Sequence, residues 1–235
     1  PITTKAMRVI LCFLSVLVLA PSTWGQSATA SLSQIVEAYR PSQTLECELQ
    51  IEFFDQLDSK LPVDKQRMKL IRNGQQFYSK IGTLETVTDG KILIQIDHGN
   101  KTIVLQKSIS FPDPLGVDQF VSYAEQNQLY LVTFDPGNQR QGLRFEAPQS
   151  SNTRIDIIYD PQTMYIDQTE MRIDVPGRTG SPYNKSRIRT TYLYHKIRTG
   201  AFPHRPSDYL ESTGGQYRPK TKYQDYELIQ LPGSS

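Results

Sequence analysis

The sequence predicts a mainly β fold, with antiparallel strands and two or three helices. Apolar and polar residues alternate from Thr44 to Asp55, which is typical of a strand with one buried face and one face in water. Asn73-Gly74 and similar turn signals separate the apolar runs that follow, as in a chain of short-looped hairpins. Helical spacing of apolar residues, in contrast, is confined to two short stretches. The sheet should therefore dominate the fold.

Two helices are predicted. The first covers residues 31–40, where Ser31 can cap the N-terminus, the apolar residues form one stripe and Pro41 ends the helix. The second covers residues 117–128 and follows a proline-rich break. Each helix should bury its apolar stripe against the sheet.

Strands are predicted wherever an apolar run lies between turn signals. After the strand at 44–55, residues 60–64 form a predicted loop, and residues 88–106 form a hairpin in which Ile92, Ile94 and Ile96 share one face. The remaining predicted strands cover residues 65–72, 75–81, 83–87, 129–134, 142–146, 153–159 and 164–175. The spacing shows no fixed repeat and no shift in composition, so residues 26–235 are predicted to form a single domain.

The C-terminal part differs in composition. Between Tyr183 and Glu227, seven tyrosines are interleaved with nine Lys or Arg residues and only four acidic residues. Grooves for single-stranded nucleic acid use such interleaving, but the alternation around Arg187 and Arg189 is also that of an ordinary strand. We favour the strand and expect no nucleic-acid partner. From about residue 200 a Tyr/Pro-rich extension is predicted, with a long loop over 202–219 and a last strand over 223–231.

The first 25 residues resemble a signal peptide. From Met7, a basic residue precedes a 12-residue apolar run from Val9 to Ala20, and small residues follow at 23–25. The run is shorter than the roughly 18 to 20 residues that a membrane span needs. We expect cleavage after Gly25 and an exported, periplasmic protein.

Cleavage would remove Lys5 and Arg8, and with them the formal excess charge of +2. It would also remove Cys12 and leave Cys47 alone, so no intramolecular disulfide is expected. Cys47 is interpreted as a small buried hydrophobic residue rather than a reactive thiol. The residue directly after the cleavage point is Gln26 and not a cysteine, so we expect a soluble protein without a lipid anchor. A monomer is also expected.

No catalytic or metal-binding motif is found in the sequence. The three histidines, His98, His195 and His204, are not spaced as metal ligands, and no nucleophile elbow or phosphate-binding loop is present. Carboxylate pairs such as Asp156 with Asp160, or Glu46 with Glu48, are interpreted as solvated surface groups. We expect no enzyme activity, cofactor or metal.

The order of elements resembles that of a known family. After the first strands, Glu85-Thr-Val-Thr-Asp-Gly-Lys91 leads into an aliphatic strand, and residues 153–162 followed by 164–175 look like a later hairpin. In these features the chain resembles the LolA-like family of periplasmic lipoprotein carriers over residues 31–196. It departs from the family in its longer, Tyr-rich and basic C-terminal part.

The resemblance implies a half-barrel: a curved, half-open antiparallel sheet wrapped over helices, with an apolar cavity between them. Members hold acyl chains of lipoproteins or other lipids there, and regulatory relatives bind a partner protein or sense envelope components. A carrier that delivers its cargo would also meet an envelope membrane-protein complex.

Acyl chains need a large apolar surface, because each exposed methylene costs roughly 0.8 kcal/mol and a 16-carbon chain about 12 kcal/mol in water. Nine apolar residues are candidates to line such a cavity, and ordinary core packing is the alternative for each of them. The nine are Leu49, Ile51, Phe53, Phe77, Ile92, Ile94, Ile96, Phe120 and Leu131. A carrier of lipid or lipoprotein acyl chains and a non-enzymatic, partner-binding module on the same scaffold are the two functional hypotheses.

Overall fold

The computed structural model describes residues 23–39, 44–107, 117–126, 128–147, 153–174, 185–199 and 201–231. The apolar run of the predicted leader, Val9 to Ala20, and Cys12 lie outside the described residues. Within the described ranges no helix combines the length and the apolar character that crossing a membrane requires.

The described residues contain fourteen strands, and twelve of them form one open, curved sheet. In chain order the strands are β1 (Thr44–Phe54), β2 (Asp64–Asn73), β3 (Gln76–Ile81), β4 (Leu84–Thr88), β5 (Ile92–Asp97), β6 (Thr102–Lys107), β7 (Tyr130–Phe134), β8 (Gln141–Glu146), β9 (Arg154–Tyr159), β10 (Ile166–Asp174), β11 (Lys185–Arg198), β12 (Leu210–Thr213), β13 (Gln216–Pro219) and β14 (Glu227–Gln230). Their order across the sheet is β14-β6-β5-β4-β3-β2-β1-β11-β10-β9-β8-β7, and β12 pairs with β13 in a separate hairpin. All pairs are antiparallel except β14 with β6. The mainly β, antiparallel prediction is confirmed.

The described residues contain two α-helices, α1 (Thr23–Ala38) and α2 (Val117–Gln126), and two short 3-10 turns, Pro206–Asp208 and Thr221–Tyr223. Helix α1 begins before Ser31, so the predicted serine cap is wrong. The chain is already helical when it reaches Ser31, where the amphipathic pattern of the sequence begins.

The turns follow the predicted chemistry. Gly74, after Asn73, has φ +57°, and Gly90, after Asp89, has φ +88°, a region that other residues enter at a cost. A Cβ atom on Gly90 would also lie 2.7 Å from the Gln75 side chain. These two positions fix the hairpin registers on either side of β3 and β4.

One face of the sheet, the inner face, packs against both helices. Ala28 and Ile35 of α1, Tyr39 just after it, and Ala124 of α2 are almost fully buried. They pack on the strands in one cluster, the inner core, whose buried strand residues are Leu45, Cys47, Leu49, Leu70, Phe77, Leu143, Phe145, Ile155, Ile157, Tyr159 and Ile166. The inner core thus spans both halves of the sheet.

The opposite, outer face carries a second core over β2 to β6. Residues 201–231, here called the C-terminal segment, cover it with buried Phe202, Tyr209, Leu210 and Tyr223. The strand residues beneath are Ile71, Tyr78, Val87, Ile94, Ile96, Ile103 and Leu105. The prediction of a long loop over 202–219 is wrong, because this stretch holds a 3-10 turn and a hairpin.

The remainder of the outer face, over β1 and β8 to β11, is lined with ion pairs rather than with solvated single charges. Glu46 is only 7% exposed and pairs with Lys69 and Arg198, at 2.8 and 3.1 Å. Asp156 is also 7% exposed and pairs with Arg144 and Arg154. The solvated interpretation of these carboxylates is wrong, because cross-strand cations cover them.

Candidate functional site

The structure divides the nine candidate cavity residues between the two faces of the sheet. Leu49, Phe77, Phe120 and Leu131 belong to the inner core or pack against it. Ile92, Ile94 and Ile96 lie on the outer face beneath the C-terminal segment. One cavity cannot be lined by both groups, since a sheet separates them.

Ile51 and Phe53 occupy a third position, at the end of the inner face, and both are half-buried. Phe53 pairs across strands with Ile188, which in turn pairs with Met171, and both of these side chains are also half-buried. Met171 packs against the inner core. A row of partly exposed apolar side chains therefore continues the inner core to the edge of the described face.

The loop between β1 and β2 extends this row into solvent. Leu61 is 80% exposed and Val63 is 65% exposed, and the Val63 N–H donates to the Phe53 carbonyl oxygen at 2.8 Å. We call Ile51, Phe53, Leu61, Val63 and Ile188 the apolar rim. Large apolar side chains this exposed, adjoining others, are typical of a binding surface.

Leu61 and Val63 were not among the predicted ligand residues, because both lie in a loop that contains a proline and is flanked by charges. Sequence periodicity cannot select such residues. The signal that the sequence does offer for this surface is the presence of two large apolar side chains in a short polar loop.

A second group of interest is a buried aromatic cluster between α1, β10 and β11. The Tyr39 hydroxyl lies 2.6 Å from His195 Nε2 and accepts a hydrogen bond from the Ile166 N–H at 2.9 Å. The His195 ring stacks between Tyr165 and Tyr192, at centroid distances of 4.8 and 5.2 Å.

Burial lowers the pKa of His195 to about 4, so its ring is neutral at pH 7. Burial likewise raises the pKa of the Tyr39 hydroxyl and, to about 12, that of the Cys47 thiol. At neutral pH the cluster holds neither a charged acid nor a thiolate. The Tyr39 hydroxyl bonds to both His195 and the Ile166 N–H, which suits a role in fixing the end of α1 on the sheet.

The outer face has a cleft of about 700 Å³ between the C-terminal segment and the turns of β3 to β6. At its base lies Glu85, which accepts hydrogen bonds from Tyr209 at 2.9 Å and Lys80 at 2.8 Å. His98 Nε2 lies 3.3 Å from the same carboxylate, and His98 Nδ1 lies 2.9 Å from the Tyr226 hydroxyl. His204 stacks on Tyr78 at 3.7 Å.

Burial acts to raise the pKa of Glu85, but the hydrogen bonds from Lys80 and Tyr209 and the charge of Lys80 outweigh it and hold the pKa below its usual value. Glu85 is thus ionised at pH 7 and its oxygens are already bonded. The carboxylate anchors the C-terminal segment.

Two smaller clefts lie elsewhere on the described part of the protein. One of about 500 Å³ lies between α1 and the β7–β8 hairpin and includes Arg140 and Tyr159. The other, of about 380 Å³, lies beside the C-terminal segment and is bordered by Ile92. In the described part of the chain, no group of three or more His, Cys, Asp and Glu side chains is arranged to hold a metal ion.

Comparison with known proteins gave matches to solved structures alone: no family model and no curated protein matches the sequence. An uncharacterized conserved protein from Thermus thermophilus is 11% identical, and the match covers 87% of this chain and 99% of that one with a TM-score of 0.46. A LolA superfamily protein from Nitrosomonas europaea is 10% identical, with 77% and 96% covered and a TM-score of 0.33.

A third match is the Pseudomonas aeruginosa MucA/MucB complex, at 12% identity, 75% and 59% coverage and a TM-score of 0.33. The matched structures include the LolA-like family that the sequence resembles. At these identities and TM-scores the likeness carries no information about what this chain binds.

Proposed function

We propose that the protein is a carrier that holds the acyl chain of a lipid or lipoprotein at the end of the inner face of its sheet. The observation that supports this most directly is the apolar rim. There, the strongly exposed side chains Leu61 and Val63 belong to a loop that is tied to the half-buried Phe53 by the hydrogen bond from the Val63 N–H. The ligand would enter over this loop and lie along the inner face.

The energetics suit such a ligand. A 16-carbon chain gains about 12 kcal/mol if all its methylenes leave water, at roughly 0.8 kcal/mol each. The rim would lose exposed apolar area in the same step, which adds roughly 25 cal/mol for each Å² removed from water. The rim is built from apolar side chains, which suits recognition of the acyl chain itself.

A fluorescent 16-carbon fatty acid tests this proposal. Titration of the full chain should give saturable binding, and Leu61→Asp should weaken it by about tenfold or more because the charge lies in the path of the chain. Leu231→Asp is the matched control: Leu231 is also exposed, at 39%, but lies in the C-terminal segment. Its affinity should stay within twofold of the wild type.

Absence of saturable binding, or an equal loss in both variants, would refute the carrier function. The thermal unfolding of each variant shows whether it is folded; both side chains are exposed, so neither substitution should change stability by more than about 0.5 kcal/mol.

A partner-binding module is the second candidate, because Leu61 points into solvent rather than into an enclosed pocket. A photo-crosslinking amino acid at position 61, introduced in cells, separates the two. Lipid adducts support the carrier, whereas adducts dominated by one protein favour the partner-binding module.

A further inference from the structure

We infer that the outer face over β8 to β11 is a docking surface for an acidic segment of a protein partner. The surface, here called the arginine cluster, consists of Arg144, Arg154, Arg172, Arg187 and Arg189. It lies on the opposite side of the sheet from the apolar rim. It therefore adds a second interaction and does not depend on lipid binding.

Register places these arginines side by side. Arg172 pairs directly with Arg154 on β9 and with Arg187 on β11, so three guanidinium groups form a row across three strands. Like charges directly opposite one another destabilise a sheet unless counter-charges lie between them. The row spans about 10 Å, twice the strand spacing of roughly 4.8 Å.

The counter-charges lie beneath the row. The Glu170 carboxylate contacts Arg172 at 2.9 Å and Arg189 at 3.0 Å, and its side chain is only 8% exposed. Asp156 contacts Arg144 at 2.6 Å and Arg154 at 3.2 Å, and its side chain is 10% exposed.

The guanidinium groups are the more exposed partners. Four of the five arginine side chains are 24 to 33% exposed, and these are Arg144, Arg154, Arg172 and Arg189. A surface with buried anions and outward cations presents positive charge to a partner.

The cations are also in excess. Glu52 pairs with Lys65 and Arg189, Glu146 lies opposite Arg154 in the β8–β9 register, and the charge of Asp58 acts on Arg187. With Asp156 and Glu170, five carboxylates among the described residues therefore face six cations, which are the five arginines and Lys65. Among the described residues, the buried Nε atoms of Arg154 and Arg187 have no hydrogen-bond partner, although Glu170 lies 3.9 Å from that of Arg187. The chain segments that connect these strands, 148–152 and 175–184, contain no Asp or Glu. The positive excess is therefore not neutralised by the local sequence.

Several guanidinium groups are held in place before any partner arrives. Arg187 stacks on Phe54, with Cζ 4.0 Å from the ring centroid, and donates to the Leu57 carbonyl oxygen at 3.0 Å. Arg144 stacks on Phe134 at 4.6 Å while it binds Asp156. Both terminal nitrogens of Arg187 are bonded to backbone carbonyl oxygens, and Arg144 is bonded twice to Asp156, so these groups offer a partner fixed positive charge. Because these side chains are already ordered, a carboxylate can approach them with little further loss of side-chain entropy. This is why an acidic peptide suits the surface.

The test uses a fluorescein-labelled peptide of four Glu-Ser repeats and measures its anisotropy with the full chain. Binding is expected at 50 mM salt and should weaken at least several-fold at 300 mM salt, because the contacts are charged. Arg154→Gln/Arg172→Gln should reduce the affinity by about tenfold or more. Glu170 and Asp156 keep Arg189 and Arg144 as partners in this variant, which protects the fold.

The control Lys91→Gln/Arg218→Gln removes the same charge at two exposed positions away from the cluster. An equal loss in both double variants would overturn the proposal, as would no binding at 50 mM salt. Vesicles rich in phosphatidylglycerol form a separate arm, and binding to vesicles without binding to the peptide also overturns it.

Amide chemical shifts of the wild-type chain give a readout that does not depend on the variants folding. The peptide should shift residues of β8 to β11 that surround Arg172. Shifts centred on the apolar rim or on the C-terminal segment would contradict the assignment.

Discussion

The inner and outer cores lie on opposite faces of one sheet and meet at β2 and β3, yet they are covered in different ways. The inner core is closed by α1 and α2, regular helices with apolar stripes. The outer core is closed by the C-terminal segment, whose buried side chains are mostly aromatic and lie on short turns and a hairpin. Tyrosine can serve in such irregular backbone because its ring is buried while its hydroxyl bonds to a polar group, as Tyr209 does with Glu85.

The comparison shows why a Tyr-rich, basic segment need not be an appendage. Adjacent residues of one strand, Leu70 and Ile71, are both fully buried but belong to different cores. Strand β2 is therefore buried on both faces at these two residues, and the C-terminal segment is part of the fold. If so, changes in the outer core should destabilise the protein as much as changes in the inner core.

The largest effect is expected from a chain that ends at Thr199. It would expose Ile71, Ile94, Ile96 and other outer-core side chains, each worth about 1.5 to 3 kcal/mol when buried. The sum is of the order of a whole domain's stability. We expect loss of cooperative thermal unfolding and strong binding of a hydrophobic dye; a truncated chain that unfolds like the full one would show that the outer core is not needed.

A smaller effect compares the two cores within one strand. Leu70→Ala and Ile71→Ala should each cost about 2 to 5 kcal/mol, because each leaves a cavity in a closed core. Denaturant unfolding measures both values, and Leu84→Ala, at a position 37% exposed, serves as the control with a much smaller loss. A cost below about 1 kcal/mol for Ile71→Ala alone would mean that the C-terminal segment packs loosely.

The smallest effect concerns the contact that anchors the C-terminal segment. Because the pKa of Glu85 is lowered in the folded chain, its stabilising contribution is present above pH 4.5, its ordinary value, and is lost as the pH falls below it. Glu85→Gln should therefore lose about 1 to 2 kcal/mol at pH 7 and less than that at pH 3. Glu211→Gln, at an exposed position, is the control and should match the stability of the wild type at both pH values. A loss of stability in Glu85→Gln that is the same at pH 3 as at pH 7 would contradict the role of the Glu85 carboxylate.

Most of the sheet could be predicted from the sequence because its signals are local. The alternation in β1 and the two turn signals, Asn73-Gly74 and Asp89-Gly90, are each set by a few neighbouring residues. The observed strands follow these signals closely. The positions of β12 and β13 could not be predicted. These positions depend on aromatic residues between the prolines that are buried against distant strands. Such long-range contacts leave no periodic pattern in the sequence.

The candidate site was less predictable for the same reason. Alternation placed Ile94 and Ile96 on one face and Leu93 on the other, but all three are almost fully buried. Periodicity says which residues share a face and not what covers that face. The grouping of Ile51 and Phe53 with the loop residues Leu61 and Val63 depends on the hairpin geometry, which the sequence does not encode in a pattern.

The most direct test of the carrier account is a map of where an acyl chain lies on the folded protein. A 16-carbon fatty acid with a spin label near its methyl end should broaden the methyl NMR signals of Ile51, Ile188 and Met171 on the inner face. The signals of Ile92, Ile94 and Ile96 on the outer face should remain sharp. Broadening confined to the outer face, or none at a saturating concentration of the fatty acid, would contradict it.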